Sequence, residues 1–227
     1  QLSKSLFPIG HLTKPEVRKI AIEQGLATAN KKDSQGLCFI GKVKLPVFLQ
    51  QKLAPKEGHI IEIPSSFWSY QMREPLFETD EDLWRYLAMK YSYKETDGKL
   101  MGKHQGAHFF TKGQRKGLAV GGTAEALFVI DTDVNHNIIY VGQGSQHPGL
   151  FKKALFVPND DLHWVRTDLA LDNSETMAAM ARIRYRQTLQ SAKLHKVTDG
   201  LYVVFDEAQS AITEGQFVAF YQDKELI

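Results

Sequence analysis

Cys38 is the only cysteine in the chain and its strongest intrinsic nucleophile. One thiol can form neither an internal disulfide nor a multi-cysteine zinc site, so it is either a buried packing group or a reactive one. It follows the polar turn Lys31-Lys32-Asp33-Ser34-Gln35-Gly36, at the point where a loop meets the short apolar run Leu37-Cys38-Phe39-Ile40. Nearby lysines and the amides of a glycine-containing turn favour a thiolate, and a thiolate can take a sulfur atom by attacking the outer sulfur of a persulfide. The same apolar run also suits a buried strand in which the thiol is inert. Spacing alone leaves both readings open.

Two basic clusters offer a different chemistry. Arg182, Arg184 and Arg186 alternate with Ile183 and Tyr185, so a strand would put three guanidinium groups on one face. Each guanidinium is a planar fork for phosphate oxygens, and Tyr185 can pack against RNA. A solvated strand face explains the same pattern. The second cluster, Thr111-Lys112-Gly113-Gln114-Arg115-Lys116-Gly117, holds Lys112, Arg115 and Lys116 between glycines that let backbone approach a phosphate. It lacks the spacing of a nucleotide-binding Gly-x-x-x-x-Gly-Lys-Ser/Thr loop, and a glycine turn with solvated cations accounts for it as well. His104, His108, His147 and His163 show no metal-ligand spacing, so no metal is expected. No Gly-x-Ser-x-Gly nucleophile motif supports a hydrolase.

The elements that must position these groups follow from length and pattern. The chain has 227 residues, 43% hydrophobic and 24% charged, enough for one larger core or two smaller ones. With 28 basic and 26 acidic side chains the net charge is +2, so any nucleic-acid site is a local patch rather than a field over the whole surface. No apolar run reaches the length of a membrane span and no export signal opens the chain, which makes a cytoplasmic location the expectation. Thr13-Lys14-Pro15-Glu16 predicts a capped helix carrying Val17, Ile20 and Ala21 and ending near Gly25. A second short helix is expected over 45–53 and a strand over His59 to Ile63. The aromatic and acidic stretch 65–96 reads as an inserted helical element, with Leu83, Leu87 and Tyr91 at helical spacing behind Thr79-Asp80. From Asp97 onward turn signals at Asp97-Gly98, Asn135-His136-Asn137 and Asp199-Gly200 separate short apolar runs, and the last predicts a hairpin. The fold class is mixed α+β, mostly antiparallel, ending in a small barrel or sandwich.

Taken together, the motifs resemble those of the bacterial tRNA-specific 2-thiouridylases. Phe7-Pro8-Ile9-Gly10-His11-Leu12-Thr13-Lys14-Pro15-Glu16-Val17-Arg18 and Asp33-Ser34-Gln35-Gly36-Leu37-Cys38-Phe39 carry the resemblance first. Gly102-Lys103-His104-Gln105-Gly106, the 111–118 loop, Ile183-Arg184-Tyr185-Arg186 and Gly215-Gln216 follow in the family's order. The resemblance implies that Cys38 is a persulfide carrier and that Arg184, Tyr185 and Gln216 contact tRNA, with Lys112, Arg115, Lys116, Arg182 and Arg186 as further candidates. It implies a tail of the ATP-pyrophosphatase domain at 1–41, a central domain at 42–119 with its insert at about 65–96, and a tRNA-binding β-barrel at 120–227. It also implies ATP and a persulfide donor, either a cysteine desulfurase or a sulfur-relay protein, as needs of the full enzyme. No cofactor is expected within this stretch. The Ser-Gly-Gly-x-Asp-Ser loop and second catalytic cysteine of the family have no counterpart here, so the chain is expected to be inactive alone. Lys112 stands where the family usually has an apolar residue, and Glu214 where it usually has proline. The alternatives are a non-catalytic RNA-binding barrel and a free-standing sulfur carrier.

Overall fold

Thr13 begins the first helix as its side-chain chemistry dictates. The Glu16 carboxylate accepts from the Thr13 backbone N–H (2.6 Å) and from its hydroxyl (2.7 Å), and α1 runs over Lys14–Glu23 before Gly25 takes the left-handed conformation (φ +64°). The computed structural model describes residues 6, 8–31, 54–72, 75–223 and 225–227. The helix expected over 45–53 and Cys38 with its motif lie outside the described residues, apart from Lys31. The chain divides into two compact units, Gln1–Ala54 with α1, and Pro55–Ile227 with every strand named below.

The second unit holds two sheets. The first has the order β2-β1-β4-β3, formed by β1 (Gly58–Glu62), β2 (Lys99–His104), β3 (Leu127–Asp133) and β4 (Ile138–Gln143). Its pairs are antiparallel except β1 with β4, which runs parallel. Both faces are covered, so β4 reads as the unbroken apolar run Ile138–Val141, and β1 buries the adjacent Ile60 and Ile61 on opposite faces. Ile60, Val129, Ile139 and Val141 pack with Ala107 and Leu118 on one side; Ile61, Ile63, Ile130 and Tyr140 pack with Phe67, Tyr93 and Leu150 on the other. The C-terminal barrel expected over 120–227 would include β3 and β4. In the first sheet β4 is hydrogen-bonded to β1 and β3 to β4, because the Ile138–Val141 run buries best between two neighbours.

The second sheet is antiparallel throughout, in the order β10-β9-β6-β7-β8-β5. It comprises β5 (Phe151–Pro158), β6 (Thr176–Arg182), β7 (Gln190–Val197), β8 (Gly200–Ser210), β9 (Ala219–Gln222) and β10 (Glu225–Leu226). Its core is Ala181, Ile183, Leu194, Leu201, Val203, Phe205 and Phe220, with smaller neighbours. The hairpin predicted at Asp199-Gly200 forms one residue earlier than the motif suggests. Val197 pairs with Gly200, so Thr198 and Asp199 make the turn and Gly200 opens β8. Gly200 is needed for closeness: a Cβ there would lie 2.3 Å from the carbonyl oxygen of Val157 on β5.

The insert leaves the first sheet between β1 and β2. Its helix α2, Asp80–Ala88, starts at Thr79, whose hydroxyl accepts from Asp82 N–H (3.2 Å). Tyr91, expected on this helix, lies beyond its end. The helix packs on β5 and β8 of the second sheet, and Trp84 stacks on His195 with ring centroids 3.9 Å apart. The insert's aromatics go to the first sheet instead. Phe67, Tyr70 and Tyr93 pack edge-on or tilted on one another, Tyr93 lies tilted against Tyr140, and the Tyr70 and Tyr93 hydroxyls share a hydrogen bond of 2.7 Å.

Candidate functional site

Strand β6 ends at Arg182, and the alternation of the next residues does not continue as a strand. The Ile183 N–H, which would extend the ladder, donates to the Gln187 side-chain oxygen (3.0 Å), and Gln187 N–H donates to the Arg184 carbonyl (3.0 Å). Buried Ile183 anchors the resulting turn over 183–187, and the Gln187 amide is braced on Gln209 (2.7 Å). The expected ladder of three guanidiniums is therefore corrected to three cations in three settings.

Arg182 lies over the Tyr221 ring, 4.8 Å from its centroid, donates to the Tyr221 hydroxyl at 2.7 Å and holds the Tyr185 carbonyl at 3.2 Å. It shapes the turn. Arg184 donates from one nitrogen to the Ala211 carbonyl (3.1 Å) and is otherwise exposed, which leaves most of its fork available. Arg186 is exposed, and Tyr185 between them is 89% exposed. Gln216 lies exposed on the connection from β8 to β9.

The 111–117 loop reaches the same place. Gly113 N–H donates to Val129 O (2.7 Å) and Val129 N–H to Gln114 O (2.9 Å), fastening the loop along β3. Gly113 has φ +80°, and a Cβ there would meet the Ala211 Cβ at 2.8 Å and an Arg184 nitrogen at 3.6 Å. Only glycine satisfies both the backbone and the contact. The loop is thereby held against the residue that Arg184 grips, with Arg115 and Lys116 exposed.

Lys112 points the other way. Its side chain is 18% exposed and carries the ammonium to 3.1 Å from Asp131, whose side chain is 13% exposed. Lys90 lies 4.0 Å from Asp131 and 3.5 Å from Glu214, and Lys152 sits 3.3 Å above the Tyr91 ring with the Met89 carbonyl as acceptor. Asp131 Oδ1 has no aligned hydrogen bond, so Lys112 holds it by charge and proximity. Burial, with Lys112 nearby, pushes the Lys152 ammonium down to about 8, with Asp131 opposing. Lys112 and Glu214 thus join one ionic cluster.

Sequence reasoning missed Asp131, Lys90 and Lys152. A signal for Asp131 was present, an acid following the apolar run Leu127-Phe128-Val129-Ile130. The β-bulge between Val129 and Asp131 is what re-aims its side chain. Of the histidines, His147 is buried, donating from Nε2 to Ile63 O (3.0 Å) and accepting at Nδ1 from Gly149 N–H (3.2 Å), and burial lowers its basicity.

Comparison with known proteins joins these parts. Three family models match in order: the tRNA methyl transferase HUP domain at 1–42, the tRNA methyl transferase PRC-barrel domain at 88–143 and the aminomethyltransferase β-barrel domain at 157–227. The tRNA-specific 2-thiouridylases MnmA of Christiangramia forsetii and Flavobacterium johnsoniae are each 62% identical over all 227 residues, and that of Karelsulcia muelleri is 44% identical over the same length. The chain spans 57–58% of the length of these relatives. With the family's models in sequence along it and such identity over its whole length, the chain belongs to the tRNA-specific 2-thiouridylase family.

Proposed function

We propose that the chain is part of a tRNA sulfurtransferase that places sulfur at C2 of the wobble uridine, with Cys38 carrying the persulfide and the 183–187 turn contacting tRNA. In this reading ATP is a substrate that adenylates O2 of the uridine with loss of pyrophosphate, using residues outside this chain; the outer persulfide sulfur displaces AMP at C2, and a second cysteine, also outside this chain, attacks the Cys38 sulfur, breaking the S–S bond to release 2-thiouridine and leave a disulfide. Sulfur reaches Cys38 from a cysteine desulfurase or a sulfur-relay protein.

The observation that supports it best is the convergence at Ala211. Arg184 grips its carbonyl, Gly113 packs on its Cβ, and Tyr185, Arg186, Arg115 and Lys116 are all exposed on the segments so joined. A prearranged basic surface with an exposed ring suits a folded RNA, whose phosphates supply affinity and whose unpaired bases stack.

The test is nucleoside mass spectrometry of tRNA from cells lacking the gene, restored with wild-type protein or Cys38→Ser. Loss of 2-thiouridine derivatives in the knockout, with recovery only by the wild type, is expected. Persistence of 2-thiouridine in the knockout would leave a non-catalytic RNA-binding module as the better account.

A further inference from the structure

Phe217 is 94% exposed, more than any other aromatic among the described residues that the core leaves outside, and the family resemblance gives it no role. Its neighbours follow ordinary strand logic. Val218 packs on the core of the second sheet and Phe220 is buried within it, so the chain is firmly seated one residue after Phe217. A ring held in water beside such anchoring contributes nothing to the core.

Its position matters more than its exposure. Arg182 pairs with Ala219 as the last β6–β9 pair at that end. Tyr185 lies three residues beyond Arg182 and Phe217 two residues before Ala219, so the most exposed rings of this sheet leave it at the same end of the same strand pair. Both carriers are fixed. Arg182 holds the Tyr185 carbonyl (3.2 Å), while on the other side Gln216 N–H donates to Thr213 O (3.3 Å) and Thr213 Oγ1 to Ala211 O (3.0 Å), the carbonyl that Arg184 also engages. Arg184 and Arg186 flank the rings with positive charge; the acid on the same connection, Glu214, is paired with Lys90.

We infer that Phe217 and Tyr185 form a two-ring platform on which unpaired bases of the RNA substrate stack. Every base has a π-face, so such a platform gives affinity without reading sequence, and prior ordering of both turns lowers the entropic cost of binding. The flanking arginines select a polyanion over an apolar protein surface. The inference rests on the tRNA reading above and adds a contact which that reading does not contain.

The test measures binding of unmodified tRNA to the whole protein over a range of salt for wild type, Phe217→Ala, Phe217→Trp and Arg184→Ala. Phe217→Ala should weaken binding about tenfold with an unchanged salt slope, because no phosphate contact is lost, and Phe217→Trp should restore it. Equal thermal unfolding of the variants checks that the fold is intact. Wild-type affinity in Phe217→Ala, or a changed slope, overturns the platform while leaving tRNA binding in place. Failure of the wild type to bind tRNA overturns the underlying reading and the platform with it. A wild-type dimer in sedimentation that Phe217→Ala dissociates, with unchanged tRNA affinity, would reassign the ring to self-association.

Discussion

Lys112 and Arg184 flank the same close approach, Gly113 against the Ala211 side chain, and meet opposite fates. The lysine turns inward to Asp131 in a cluster with Lys90 and Lys152, while the arginine spends one nitrogen on a carbonyl and presents the rest to solvent. Both belong to basic runs that look alike on paper. What separates them is the partner the fold supplies: a buried carboxylate satisfies a charge internally, whereas a carbonyl orients a guanidinium without neutralising it.

Removing the carboxylate is the sharpest way to break this contrast. Asp131→Asn keeps the shape and leaves Lys112 without a counter-charge, which should cost about 3 kcal/mol of unfolding free energy in a urea titration. Replacing both partners, Asp131→Leu with Lys112→Leu, should recover most of that loss, because two charges leave the interior together. A single variant as stable as the wild type would show that Lys112 is not committed to Asp131.

This inward cluster was the part least legible in the sequence. The capped helix at Thr13, the insert helix behind Thr79 and the hairpin near Asp199 are local, and local rules found them. Asp131 could be noticed but not placed, since its direction depends on a bulge in β3 and its partners come from residues 90, 112 and 152, brought in by separate elements. The arginine run failed for a related reason. Period-two spacing predicts a strand only while the ladder continues, and Gln187 ends it by taking the Ile183 N–H. The motif residues Arg184, Tyr185 and Gln216 were visible as types; Phe217 was not, because an isolated exposed ring has no periodic signature.

The outward side of the comparison is sharpened by salt. Arg184→Ala should lower tRNA affinity of the whole protein roughly tenfold and reduce the slope of log affinity against log salt by about 1, as loss of one phosphate contact requires. Lys112→Met should leave that slope alone. A slope that falls for Lys112→Met and not for Arg184→Ala would invert the assignment of the two cations.

The smallest effect concerns Lys152, whose ammonium is held down to about 8 from an ordinary 10.5 mainly by burial. Between these values the unfolded chain keeps a proton that the folded chain has released, so ν for the unfolded state exceeds ν for the native state and stability must rise with pH. The difference in unfolding free energy between wild type and Lys152→Met should therefore climb in favour of the wild type from about pH 8 to about pH 10.5, and stay level below that window. Titrations common to both proteins cancel in the difference. A flat difference would mean that the Tyr91 face and the Met89 carbonyl fully offset the desolvation. Lys152 would then be an ordinary lysine, and the inward cluster would owe its character to Asp131 and Lys112 alone.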